Sequence, residues 1–228
     1  MFFLKGVGVE SIVAFLTNSV EVRQFGVNTP TFWALGAGFM TLVQSYGSYN
    51  LVRTIHGNKS GEGVSLYMLG YWHALMWCFI YYAWNVHSLA IMWNGMVLAP
   101  LYTAALLAVF SYKVVARIDL LKIVVPLIAM PIVFVLVERK DVLLLVFMVL
   151  GLMFFLDQTR LLYTEKKVGS FDPRFTVAIM FSSIFWFFFA LSIGDFALTM
   201  INPVVLGISL ITLHAYARAK HYEDLVRV

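Results

Sequence analysis

The chain has 228 residues, 61% of them hydrophobic and only 12% charged, with a net charge of +4 and a mean hydropathy of +0.86. A soluble domain carries about 25% charged residues, so the composition excludes a water-solvated globule and describes a membrane protein. The positive balance is read as a loop-charge bias across a membrane rather than as a nucleic-acid surface, because the basic residues sit in short stretches between apolar runs.

Residues 1–29 read as an amphipathic segment. Val9, Ile12, Val13, Leu16 and Val20 recur at helical spacing opposite Glu10, Thr17, Glu21 and Gln24, the pattern of a helix lying at the membrane interface. Its other reading is a docking or homo-oligomer contact. The longest apolar run here, Ile12 to Leu16, is shorter than the roughly 7 to 15 residues of a secretory signal core, so the segment is expected to be retained.

Seven spans follow, at roughly 30–53, 64–86, 89–112, 120–137, 142–163, 175–193 and 197–218. No Asp, Glu, Lys or Arg occurs between Glu62 and Lys113, and that gap holds two spans of about 20 residues. The runs do not alternate apolar with polar residues, which excludes barrel strands. The fourth span is short and contains Pro126 and Pro131, tolerable where neighbours satisfy the freed carbonyls. Residues 221–228 read as a tail.

With seven spans, the loops after spans one, three and five share a side with the C-terminus, and together they hold 12 of the 16 basic residues. The expected orientation therefore puts the C-terminus in the cytoplasm and the N-terminus outside, in a plasma or inner membrane. Cys78 is the single cysteine, which excludes an internal disulfide.

The chain also repeats itself. Asn50 and Asp157 each stand three places before an Arg, and each then leads through a short basic loop into a span with a tryptophan, Trp77 or Trp186. An asparagine follows on the next span, Asn94 at 17 residues from Trp77 and Asn202 at 16 from Trp186. Two three-helix units, 30–112 and 142–220, thus flank a lone linker helix, 120–137. Units separated by one helix share an orientation, so the repeats are expected to be parallel, in a 3+1+3 arrangement.

An asparagine in hydrocarbon costs roughly 4 to 8 kcal/mol if nothing bonds to it, so Asn202 must meet a partner inside the bundle, either another helix or a solute. Asp157 pairs with Arg160 or, in the sharper reading, titrates. His73 reads as an interior hydrogen-bonded residue, and Trp33, Trp84 and Trp93 as interfacial anchors. No cluster of His, Cys and carboxylates has metal-ligand spacing and no nucleophile elbow is present, so neither catalysis, metal nor cofactor is expected.

The order of these features resembles the SWEET sugar transporters and the wider PQ-loop superfamily. The loop "TIHGNKSGEGVSL" from Thr54 is similar to the family's KTKSxxGxSL segment, and "WFFFALSIGDFALTMIN" from Trp186 resembles its stretch from Trp through Tyr-Ala-Leu and Asp to Pro-Asn. The resemblance covers residues 30 to 220. The family's Pro-Gln pair reads Asn50-Leu51 and Asp157-Gln158 here, so both prolines are replaced. The resemblance implies that Asn94 and Asn202 face each other across a central cavity and hydrogen-bond a mono- or disaccharide. Trp77 and Trp186 would bracket its apolar face, with Asn50, Asp157 and Gln158 at the gating or proton-coupling positions. The expected partners are that solute and membrane lipid. Two alternatives share the architecture: a PQ-loop amino-acid carrier coupled to protons through Asp157, and a receptor of the KDEL-receptor kind.

Overall fold

The computed structural model describes residues 8–226, and every regular element among them is an α-helix. Two short helices, α1 (Val9–Asn18) and α2 (Val20–Arg23), precede seven long ones. These are α3 (Thr29–Asn58), α4 (Leu66–Val86), α5 (Leu89–Tyr112), α6 (Arg117–Leu136), α7 (Lys140–Glu165), α8 (Pro173–Ile193) and α9 (Phe196–Val226).

Local chemistry starts and stops them. Asn28, Ser65, Ser88 and Asp172 each accept a first-turn backbone N–H at the heads of α3, α4, α5 and α8, which satisfies donors that hydrocarbon cannot. Pro173 opens α8, where its missing N–H costs nothing. Lys59, His87, Lys166 and Gly194 end α3, α4, α7 and α8 in the left-handed conformation.

The helix ends recur at a constant interval. Asn58 and Glu165, Leu66 and Pro173, Val86 and Ile193, Leu89 and Phe196 are each 107 residues apart, as are the left-handed caps Lys59 and Lys166, His87 and Gly194. Packing follows the same exchange: α3 packs on α5 and α8, α5 on α4, α4 on α7, α7 on α9, and α9 on α8. These contacts close a ring of six helices, α3–α5–α4–α7–α9–α8, and exchanging α3, α4, α5 with α7, α8, α9 leaves it unchanged. Helix α6 stands outside, against α4.

The ring is not uniform. Gly47 and Phe154 occupy equivalent places, as do Ala178 and Tyr71. At the α3–α8 crossing a Cβ on Gly47 would lie 3.0 Å from both the Ala178 methyl and the Arg174 carbonyl oxygen, so the two backbones are nearly in contact. At the α4–α7 crossing Tyr71 stacks on Phe154 with centroids 4.8 Å apart.

Helices α5 to α9 are long and apolar enough to cross a membrane. Helices α3 and α4 fill the first two expected spans but are less apolar, since α3 carries Gln44, Ser45, Ser48 and Asn50 and α4 draws on Tyr and Trp. The stretch expected as a tail continues α9 as far as Val226, and residues 227–228 lie outside the described residues.

Candidate functional site

The ring encloses a cavity of about 50 Å³, room for about four waters. Its lining comes from all six ring helices and none of it from α6. Ten of the lining residues form five pairs at the interval of the helix ends: Trp72 and Ile179, Met76 and Ser183, Phe79 and Trp186, Ile91 and Leu198, Leu98 and Val205. No charged side chain lines it among the described residues.

Asn94 and Asn202 both line this cavity, each 7% exposed. The Asn94 amide meets the Thr41 hydroxyl at 3.1 Å, and Thr41 also lies 3.1 Å from the Ala37 carbonyl of its own helix. The other end of the Asn94 amide has only the Met76 sulfur at 3.9 Å, a weak partner. The Asn202 Nδ2 donates to the Leu198 carbonyl at 2.6 Å, while its Oδ1 has no partner among the described residues. Each amide is thus held at one end by protein and uncommitted at the other. Gln44, half-buried on α3, adds a third amide to the lining.

Trp186 lines the cavity as expected of it, but Trp77 does not. Trp77 is 45% exposed on the outer face of α4, and its indole N–H donates to His73 Nε2 at 3.1 Å. An indole nitrogen can only donate, so Nε2 accepts and the His73 proton sits on Nδ1. That Nδ1 meets the Thr103 hydroxyl at 2.9 Å, which in turn donates to the Ala99 carbonyl. The place opposite Trp186 belongs to Phe79, with Trp72 one layer along. Two residues along a helix turn a side chain by about 200°, so counting back from the asparagines selected the wrong face.

The three gating candidates separate as well. Asp157 and Gln158 join α7 to the start of α4: Ser65 Oγ donates to Asp157 Oδ2 at 2.9 Å, and the Ser65 N–H to Gln158 Oε1 at 2.7 Å. Gln158 Nε2 also donates to the Gly63 carbonyl at 2.8 Å. Asp157 lies 3.7 Å from Arg160 besides. Asn50 makes no such link, since its Nδ2 donates to the Tyr46 carbonyl of its own helix.

The exchange-related link runs from Thr54 on α3, which donates to Asp172 Oδ2 at 3.1 Å at the head of α8. Burial by itself would raise the Asp172 carboxyl. Hydrogen bonds from the Arg174 side chain, the Arg174 backbone and Thr54 outweigh it and hold the group below its usual value. Between the two links the loops touch backbone to backbone: a Cβ on Gly63, whose φ is +76°, would lie 2.2 Å from the Val168 carbonyl oxygen. The basic loops are thus in contact across this end of the ring.

At the opposite end Tyr82 donates to Asp195 Oδ2 at 2.6 Å, and Trp33 stacks on Phe188 with centroids 4.6 Å apart. Trp33 is therefore a contact between α3 and α8. The N-terminal segment docks here too. Phe15 stacks on Trp84 with centroids 4.6 Å apart. Glu21 accepts hydrogen bonds from Ser88 Oγ, the Leu89 N–H and the Ala90 N–H at 2.6 to 3.0 Å. A carboxylate from α2 thus caps α5.

Sequence reasoning missed Gln44, Thr41, Phe79 and Ser183; the constant interval of 107 would have found Phe79 from Trp186. No group of three or more His, Cys, Asp or Glu among the described residues is placed to hold a metal ion. Five helices are long and apolar enough to cross a membrane, and four of them join α3 and α4 around a small polar-poled cavity. No family model matches the chain, and no curated protein does.

Proposed function

We propose that this protein is a transporter of the SWEET kind, which moves a small neutral polar solute, a mono- or disaccharide, down its gradient. Two parallel three-helix units, α3–α5 and α7–α9, rock about the central cavity, and α6 is the linker between them. The constant interval between helix ends and the exchange symmetry of the ring support this arrangement. The basic end faces the cytoplasm and the N-terminal segment lies outside, in keeping with the placement of Lys and Arg.

One observation carries the solute reading: Asn94 and Asn202 line a single uncharged cavity, and each leaves one end of its amide without a strong partner. A sugar offers hydroxyls to such groups and CH faces to the Trp186 and Phe79 rings. A carboxylate ligand would ask for a basic residue, which the lining lacks. At about 50 Å³ the cavity is too small for a sugar ring, so the helices must part to load one.

The test is uptake of radiolabelled sugars and amino acids by proteoliposomes carrying the wild type, Asn94→Leu or Asn202→Leu. Leu matches Asn in size and suits hydrocarbon, so both variants should fold. Each should take up sugar at least tenfold more slowly. Wild-type uptake by both would leave the asparagines as helix-packing groups and overturn the reading.

A further inference from the structure

The buried side-chain oxygens left without a hydrogen bond among the described residues are Ser48 Oγ, Thr176 Oγ1, Ser182 Oγ and Ser209 Oγ. All four belong to α3, α8 and α9, three consecutive helices of the ring. A hydroxyl buried in hydrocarbon usually bonds back to the carbonyl four residues earlier, as Thr41, Thr103, Thr159 and Thr212 do here. These four do not, and an unmet buried hydroxyl costs about 1–3 kcal/mol.

Their positions share a direction. Ser48 follows the cavity residue Gln44 by four places, Ser209 follows Val205 by four, and Thr176 precedes Ile179 by three. Each lies on the cavity-facing side of its helix, one turn nearer the basic end. Ser182 sits between Ile179 and Trp186, at the level of the cavity itself.

At three of the four equivalent places the other half of the ring carries no hydroxyl. At the interval of 107, Ser48 corresponds to Phe155, Thr176 to Leu69, Ser182 to Leu75 and Ser209 to Tyr102, all of them buried. One sector is edged with small hydroxyls, and its counterparts Phe155, Leu69 and Leu75 are hydrocarbon or aromatic, with Tyr102 alone bringing a hydroxyl to the cavity lining.

We infer that the α3–α8–α9 sector is the lane by which a hydroxyl-bearing solute leaves the cavity toward the basic end, with Ser48, Thr176 and Ser209 as its hydrogen-bonding steps. This rests on the transporter reading above and adds to it a route on one side of the ring. In this packed state the hydroxyls are desolvated and unpaired. When α3 and α8 part, water or solute hydroxyls satisfy them, so the same groups that weaken the packed state favour opening.

The triple variant Ser48→Ala, Thr176→Val, Ser209→Ala tests it in two ways. Its melting temperature in detergent should stay level or rise, because the lost hydroxyls made no bonds. Uptake of radiolabelled glucose and sucrose by proteoliposomes should fall at least fivefold, while equilibrium binding of the same radiolabelled sugars to the detergent-solubilised protein stays unchanged. Wild-type uptake by the triple variant would overturn the lane.

A second measurement does not need transport. In a Cys78→Ala background, a water-soluble methanethiosulfonate applied at the basic end should label Thr176→Cys at least tenfold faster than Leu69→Cys. Equal labelling of the two, or none of either, would overturn the lane. Selective labelling with no uptake of any sugar would instead keep the lane and remove the sugar reading.

Discussion

The Tyr82 hydroxyl donates to the Asp195 carboxylate across 2.6 Å, and this bond ties α4 to the turn between α8 and α9. Asp195 uses its other oxygen to accept the Leu198 N–H at 2.9 Å, so a single buried carboxylate both starts α9 and holds α4 to it at the end of the ring away from the basic loops. Tyr82→Phe keeps the ring packing against Phe134 and deletes only the link. A hydrogen bond to a charged group is worth about 1.5–3 kcal/mol. The variant should therefore exchange its amide hydrogens faster around residues 193–199, by about tenfold or more in hydrogen–deuterium exchange. Unchanged exchange there would mean that Trp33 and Phe188 hold this end together without it.

The N-terminal segment gives a separate prediction. Glu21 satisfies two backbone donors of α5 from outside that helix, and Ala at this position strands them at a cost of about 1 kcal/mol. Glu21→Ala should loosen residues 8–28 from the turn at His87, increasing protease cleavage in that stretch several-fold while α5 stays helical. Glu21→Gln, which retains one acceptor oxygen, should be intermediate.

In the proposed transporter, energy coupling would turn on Asp157. It accepts from Ser65 and lies 3.7 Å from Arg160 at the rim of the ring, so both its oxygens are engaged by protein. Uptake by the wild type should therefore stop at equilibrium whether or not a pH gradient is imposed, and Asp157→Asn should still transport downhill. Accumulation above equilibrium by the wild type, lost in Asp157→Asn, would make this a proton symporter.

Asp172 predicts an acid limb of stability. Its folded value lies below the ordinary carboxylate value of about 3.9, so the stabilisation is present above roughly pH 4 and is lost as the pH falls through the folded value. Melting temperature in detergent should hold level from neutral pH down to about pH 4 and then decline. Asp172→Asn, which cannot ionise, should start lower at neutral pH and flatten that decline.

Much of this could be read from residues alone, for reasons that are local. Hydrocarbon demands satisfied backbone donors, so apolar runs of span length had to be helices. Asn28, Ser65, Ser88 and Asp172 mark where they begin, because short polar side chains cap first turns. Asn94 and Asn202 stood out because an amide in hydrocarbon is costly wherever it lies.

Other features depended on direction around a helix or on a partner far along the chain. Trp77 and Phe79 are two residues apart and point to nearly opposite sides, a distinction that a count of residues between Trp and Asn does not make. Glu21 sits on the polar side of an amphipathic pattern, where water is the default neighbour; only docking of Phe15 on Trp84 turns its carboxylate into a cap for α5. Asp157, Gln158 and Ser65 meet across about ninety residues of chain, and Ser48, Thr176 and Ser209 fall into one sector only because α3, α8 and α9 are neighbours in the ring. Composition and capping are properties of a few consecutive residues; which faces meet is decided by the packing of all six helices at once.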